Sequence, residues 1–301
     1  MTAPAAPVVP VVPAAPAVRH RRQARYMAAG SLFDAPGPHG RVVVRLVTAV
    51  SLLVIVAAVA LAVRQFYVTG QLSPDRWEQL GQRPWQLYLL KALGSTILAA
   101  GGAALIGLPL GLVLAVMRLS RQPVVHVVGV CLIEVFRATP LLLIIYIFVF
   151  ALPKYGINPS LFWKLTIPIG LCAGATLAEV FRAGILAVPA GQREAAAAVG
   201  LLEGQTFRLI LFPQAVRMVV PSIVAQVVIL LKDTTLGYAV SYSELQYSAQ
   251  VFTATNPRSL LPVYFVIAVV YVLINVAISQ TAAYFDRRWQ SGRTQRFDTI
   301  V

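Results

Sequence analysis

The chain has 301 residues, of which 58% are hydrophobic and only 12% charged, with a formal net charge of +14. A soluble domain carries about a quarter charged residues, so this composition excludes an ordinary soluble protein and points to a polytopic membrane protein. The positive balance follows from the Lys/Arg enrichment of cytoplasmic loops, and with no basic stripe interleaved with aromatics there is no nucleic-acid-binding pattern.

Met1 to Ala17 is Pro, Ala and Val without charge, and reads as extended polyproline-like or disordered chain. The basic run Arg19 to Arg25 reads as a topological anchor, with contact to anionic lipid the lesser alternative. Gly30 to Gly40 reads as loop, and the long stretch ahead of the first apolar core argues against a secretory signal peptide. Residues 1–42 are thus expected to form a cytoplasmic tail, and 43–86 a first spanning helix, Leu46 to Val63, with an external loop. That loop is expected to hold an interfacial helix anchored by Trp77 and Trp85.

Further spans are expected at Leu89 to Met117, Pro140 to Leu152, Phe162 to Leu186, Val219 to Val240 and Leu260 to Tyr284. Each approaches the length of about 20 residues that crosses a bilayer, or forms part of such a run. Gly107 and Gly111 make a GxxxG, which lets helices approach closely. Val124 to Arg137 is expected to lie along or re-enter the interface, and Ser241 to Pro257 to be external. Basic residues gather at Arg118 and Arg121, at Arg193, and in the tail 287–301, which places these segments and both termini in the cytoplasm. Cys131 and Cys172 lack CxxC spacing and the three histidines are scattered, so no metal site is indicated.

The stretch 188–213, VPAGQREAAAAVGLLEGQTFRLILFP, is the longest polar-containing interruption of the apolar second half. Pro189 and Gly191 are expected to stop the preceding helix, and Glu194 to open a short alanine-rich helix with its carboxylate in the first turn. Gly200 and Gly204 should weaken or end it, and Pro213 should block a later helix. The residues alone favour a plain connector between membrane helices.

Glu194-Ala195-Ala196, then Gly200, then Ile210-Leu211-Phe212-Pro213 resembles the EAA loop of ATP-binding cassette importer permeases. EVFRATPLL from Glu134, AEVFRAGILAVPAGQREAA from Ala178 and LKDTTL from Leu231 resemble segments of the polar amino-acid subfamily. The resemblance covers roughly 89–289, with Ala138 and Thr235 departing from the usual Gly and Ser. It implies an all-α membrane protein of about six transmembrane helices, with a type I importer permease domain over 87–286 as its five-helix core and the first helix, within 43–86, as an addition. It also implies that Glu194, Ala195, Ala196, Gly200, Leu211 and Pro213 form a coupling helix docking on a separate ATPase, and that Thr139, Pro140, Lys232, Asp233 and Thr234 line the substrate path.

The resemblance implies a non-catalytic plasma-membrane subunit with no cofactor of its own, ATP and Mg²⁺ being held by an ATPase homodimer. No GxxxxGK[ST] occurs in the chain. A second permease subunit, an extracytoplasmic substrate-binding protein and membrane lipid complete the expected partners. The extra helix and long tails favour a heterodimer over a homodimer. Glutamate is the expected substrate, because the whole pattern resembles actinobacterial glutamate permeases. Glutamine, arginine, histidine and cystine remain alternatives, as does an ion-gradient-driven carrier. A membrane enzyme would need ionisable clusters beyond Lys232 and Asp233.

EVFRA occurs twice, from Glu134 and from Glu179. Glu and Arg three apart on a helix can pair, so two structural ion pairs are expected. A sharper reading has them brace the coupling loop and change partner during gating.

Overall fold

The computed structural model describes residues 37–297, with side chains over 40–284. The Pro/Ala stretch, the Arg19 to Arg25 cluster and the side chains of the basic tail lie outside the described residues. The chain divides into two units, 1–68 and 69–301. The first unit is described by a single apolar helix, α1 (Pro38–Val68). It is longer than the apolar core from Leu46 to Val63, because a helix continues through flanking arginines until the backbone itself turns.

The second unit begins with the short helix α2 (Pro74–Glu78). Then come α3 (Arg83–Arg118), α4 (Pro123–Ala138), α5 (Leu141–Tyr146) and α6 (Leu161–Ala187). α7 (Ala190–Ala198) and α8 (Glu203–Thr206) lead through a wide helical turn at Phe207–Leu211 into α9 (Phe212–Asp233). A tight helical turn at Thr234–Val240 follows, then α10 (Leu245–Thr255) and α11 (Leu260–Phe297). Among the described residues five helices are long and apolar enough to cross a membrane, or six if one bent pair counts as a span.

That pair is α4 with α5 and its extension to Tyr155, bent by 97°. The expected third span, Pro140 to Leu152, is therefore the second arm of a sharply bent pair. The break falls at Thr139 and Pro140, because a proline disfavours helical backbone at the residue before it. Thr139 accordingly has φ −85° and ψ 128°. The stretch 241–257, expected to be external, carries α10.

α3 and α6 are the most extensively packed pair. Gly107 and Gly111 on α3 meet Gly170 and Gly174 on α6, where the backbones leave no room for side chains. The GxxxG expected on α3 thus has a counterpart on α6 that the sequence reading missed. Around this seam, Ala99, Ala103, Ile145, Leu165, Ile169, Leu230 and Val240 form one core cluster. Leu114, Ile133, Leu177, Phe181 and Val219 form a second nearer the coupling stretch. Trp85, Leu245, Ala249, Val263 and Ile267 form a third. Trp85 is only 5% exposed and lies 4.2 Å from Phe252 between ring centroids, so it is core and not the interfacial anchor expected of it.

Candidate functional site

The stretch after α6 holds a free-standing short helix. Val188 and Pro189 are extended, and Pro189 starts α7 from its N-terminal flank. Gly191 lies inside α7, and Glu194 is its fifth residue. The expectation that Glu194 opens the helix is corrected: proline is well placed before or at a helix start, where its missing N–H costs nothing.

Gly200 ends α7 as expected. Its φ is 77°, its N–H donates to the Ala197 carbonyl at 3.0 Å, and the Leu201 N–H donates to the Ala196 carbonyl at 3.0 Å. This paired closure satisfies carbonyls that the helix end would otherwise leave unbonded, and the left-handed position suits glycine. Gly204 does not end a helix; it lies within α8. Pro213 does not block one either, since helical chain runs unbroken from Glu203 to Val240. Pro213 sits at the start of α9 directly after the wide turn, where the regular ladder is already interrupted.

Of the predicted coupling residues, Ala196 and Leu211 are buried, while Glu194, Ala195, Gly200 and Pro213 are exposed. Leu211 packs with Ile185, Val188 and Ala215, joining the end of α6 to the start of α9. Gln214 Nε2 donates to Gln192 Oε1 at 3.1 Å and so ties α7 to α9. Beside this segment a cavity of about 640 Å³ opens between the α3–α4 turn and residues 185–211, with Arg121, Arg193 and Glu203 in its wall.

Both expected ion pairs are present. Arg182 Nη2 lies 3.0 Å from Glu179 Oε2, and Arg137 Nη1 lies 3.8 Å from Glu134 Oε1. The sequence reading missed the residue that joins them. Arg118 Nη1 lies 3.3 Å from Glu134 Oε1 and 2.8 Å from Glu179 Oε1. The contact to Glu179 is electrostatic, for that buried oxygen accepts no hydrogen bond. A basic residue closing α3 was visible in the sequence, but its partners lie on α4 and α6, beyond any local spacing rule.

The predicted path residues fall in two places. Thr139 and Pro140 form the elbow of the broken span, where Thr139 Oγ1 donates to the Val135 carbonyl at 2.7 Å. Lys232 and Asp233 close α9, the lysine exposed and the aspartate half-buried. No ion pair involves either among the described residues, so the Lys–Asp pair considered for them is not formed. Thr234 is fully buried and its Oγ1 donates to the Leu231 carbonyl at 2.7 Å. One apolar cluster reaches both places, for Leu141 after the elbow and Leu236 after Asp233 pack against the core that contains Leu230.

A second missed group lies just past the tight turn. Glu244 is fully buried and caps α10, its carboxylate accepting from the Gln246 and Tyr247 N–H groups at 2.7 and 2.6 Å and from the Tyr271 hydroxyl at 3.2 Å. Burial raises its carboxyl to about 7, against these donors, which favour the ionised form.

A family described as "Binding-protein-dependent transport system inner membrane component" matches residues 107–291. The glutamate transport system permease protein GluD of Corynebacterium glutamicum is 32% identical over 231 residues, covering 75% of this chain and 84% of that protein. The probable glutamine ABC transporter permease protein GlnP of Bacillus subtilis is 34% identical, covering 59% of this chain and 83% of its own. Among solved structures, an amino acid ABC transporter crystallised with histidines aligns with a TM-score of 0.65 and 27% identity, over 69% of this chain and 97% of that one.

Proposed function

Because the chain belongs to the family of binding-protein-dependent transport system inner membrane components, we propose that it is the permease subunit of an ATP-driven importer that carries a polar amino acid across the plasma membrane. Glutamate is the first candidate substrate, supported by the likeness to GluD over most of both chains. Glutamine is the second, supported by GlnP. The observation that carries the reading is α7, a nine-residue helix presented between two spans. Too short to hold itself, it is fixed at its far end by Gly200 and along its side by Gln214, while Glu194 and Ala195 face outward. Such a helix is suited to dock on a separate ATPase that holds ATP and Mg²⁺.

In this reading the ATPase is a homodimer, a second permease subunit completes the path as a heterodimer, and an extracytoplasmic binding protein delivers substrate. Arg118, Arg121, Arg137, Arg182 and Arg193 gather on α7 and the segments beside it. By the positive-inside rule that end faces the cytoplasm. With Cys131 and Cys172 replaced, a cysteine at Gln192 should react with an impermeant thiol reagent only from inside, and one at Tyr155 only from outside. The reverse pattern would invert the topology.

Co-expression with the partner subunits and reconstitution into vesicles tests the function. ATP-dependent uptake of labelled glutamate is expected, weaker for glutamine, arginine, histidine and cystine. Equal uptake without the ATPase, driven by an ion gradient, would replace the reading with a carrier. Preference for another amino acid would correct the substrate alone.

A further inference from the structure

We propose that Arg118 is the positioning residue of the coupling machinery: its guanidinium, shared between Glu134 and Glu179, sets the placement of the α6–α7 junction against α3 and α4, and passes from one carboxylate to the other as α7 moves. The proposal rests on the reading that α7 docks on an ATPase.

The five groups form a chain, Arg137–Glu134–Arg118–Glu179–Arg182, drawn from three helices. Its outer members are local, each arginine three residues from its own glutamate on one helix face. Only Arg118 crosses between helices, and one nitrogen, Nη1, serves both carboxylates. Each glutamate keeps its own arginine when Arg118 leaves it. No bare carboxylate is stranded by the exchange, which is what a two-state contact requires.

The two ends of the exchange differ. The Glu134 side chain is 54% exposed and that of Glu179 22% exposed. The Glu179 arm therefore acts in the lower dielectric and is screened less. Glu179 also lies on the helix that leads into α7, which begins after only Val188 and Pro189. A displacement of α7 is thus transmitted along α6 to this contact.

On the other side, Arg118 is the last residue of α3, and the His126 ring bonds its carbonyl through Nδ1 at 2.7 Å, fixing the turn into α4. Among the described residues that turn has one other ionic tie to the coupling stretch, Arg121 to Glu203 at 2.6 Å. Both of its side chains are mostly exposed, and exposed pairs of this kind contribute little. Arg118 is left as the principal electrostatic link.

The test measures labelled amino acid moved per ATP hydrolysed by the reconstituted complex. In Arg118→Gln the ratio should fall about tenfold at wild-type levels of assembled complex. Arg118→Lys, which keeps the charge but loses the fork, should fall between the two. Glu134→Gln alters only an exposed side chain, so it keeps the test open if Arg118→Gln fails to assemble. It should leave Arg118 on Glu179 and also lower the ratio. A merely structural role would lower the yield of complex and leave the ratio alone. An unchanged ratio in Glu134→Gln, or in assembled Arg118→Gln, overturns the exchange. A wild-type complex without ATP-dependent uptake would overturn the functional reading, and the positioning role with it.

Discussion

Gly111 on α3 stands against Gly174 on α6: a Cβ at position 111 would lie 3.0 Å from the Gly174 carbonyl oxygen and 2.7 Å from the Leu177 Cβ. Neither atom can swing aside, as both are fixed by the α6 backbone. Gly111→Leu should therefore force the helices apart, at a cost of about 1–3 kcal/mol or more. Gly94 is the control, because a Cβ there meets nothing within 4 Å. Gly94→Ala should be neutral or gain up to about 1 kcal/mol from helix propensity. Thermal unfolding of the purified protein in detergent reads both, and equal melting of the two variants would remove the seam from the account.

Gly200 poses a different constraint. A Cβ there meets no atom within 4 Å, yet φ is 77°, so the strain is purely one of backbone conformation. Asn and Asp both tolerate the left-handed region and have nearly the same shape. Gly200→Asn should retain most substrate-stimulated ATP hydrolysis, while Gly200→Asp should assemble and lose it, because the added charge sits where the ATPase is proposed to dock. Identical losses in the two variants would show that strain, not charge at the docking face, decides the outcome.

Asp233 is a carboxylate at the end of a membrane-spanning helix with no cation paired to it among the described residues. If Asp233 lines the substrate path, as we propose, an ammonium group entering that path would meet this carboxylate in a low-dielectric setting. Asp233→Asn should leave membrane levels and ATPase binding intact and raise the substrate concentration for half-maximal uptake roughly tenfold or more, the size of one hydrogen bond to a charged group. Lys232→Ala should impair an acidic substrate more than a basic one. Wild-type uptake by Asp233→Asn at wild-type levels would assign the residue to the fold alone.

Glu244 makes stability depend on pH. Its carboxyl is raised from 4.5 to about 7 by burial, so the folded state holds the proton more tightly than the unfolded chain. The stabilisation linked to that proton is complete below about pH 4.5 and is lost as pH rises through about 7. Tyr242 and Tyr271 are the titratable neighbours, and burial raises the Tyr242 hydroxyl as well, away from this range. Glu244→Gln removes the titration. Between about pH 5 and pH 8 the wild-type melting temperature should fall relative to that of the Gln variant. Parallel curves would mean that the carboxylate stays ionised throughout.

The five long spans, the Gly107/Gly111 seam on α3, the two Glu–Arg pairs and the helix stop at Gly200 were legible in the sequence. Each depends on local chemistry: an apolar run, a small residue every fourth position, an i,i+3 charge pair, a glycine free to adopt positive φ. Pro189 ends α6 as the sequence indicates, but it also leads α7, which therefore begins at Ala190 and not at Glu194. Pro213 was misread because a wide turn before it absorbs the lost hydrogen bond. The convergence of Arg118 with Glu134 and Glu179, and of Glu244 with Tyr271, was decided by tertiary structure alone. These contacts join different helices, at separations no local spacing rule reaches, and their partners are chosen by how α3, α4, α6, α10 and α11 pack. A local pattern carries a residue's propensity, but only packing determines which charge it meets.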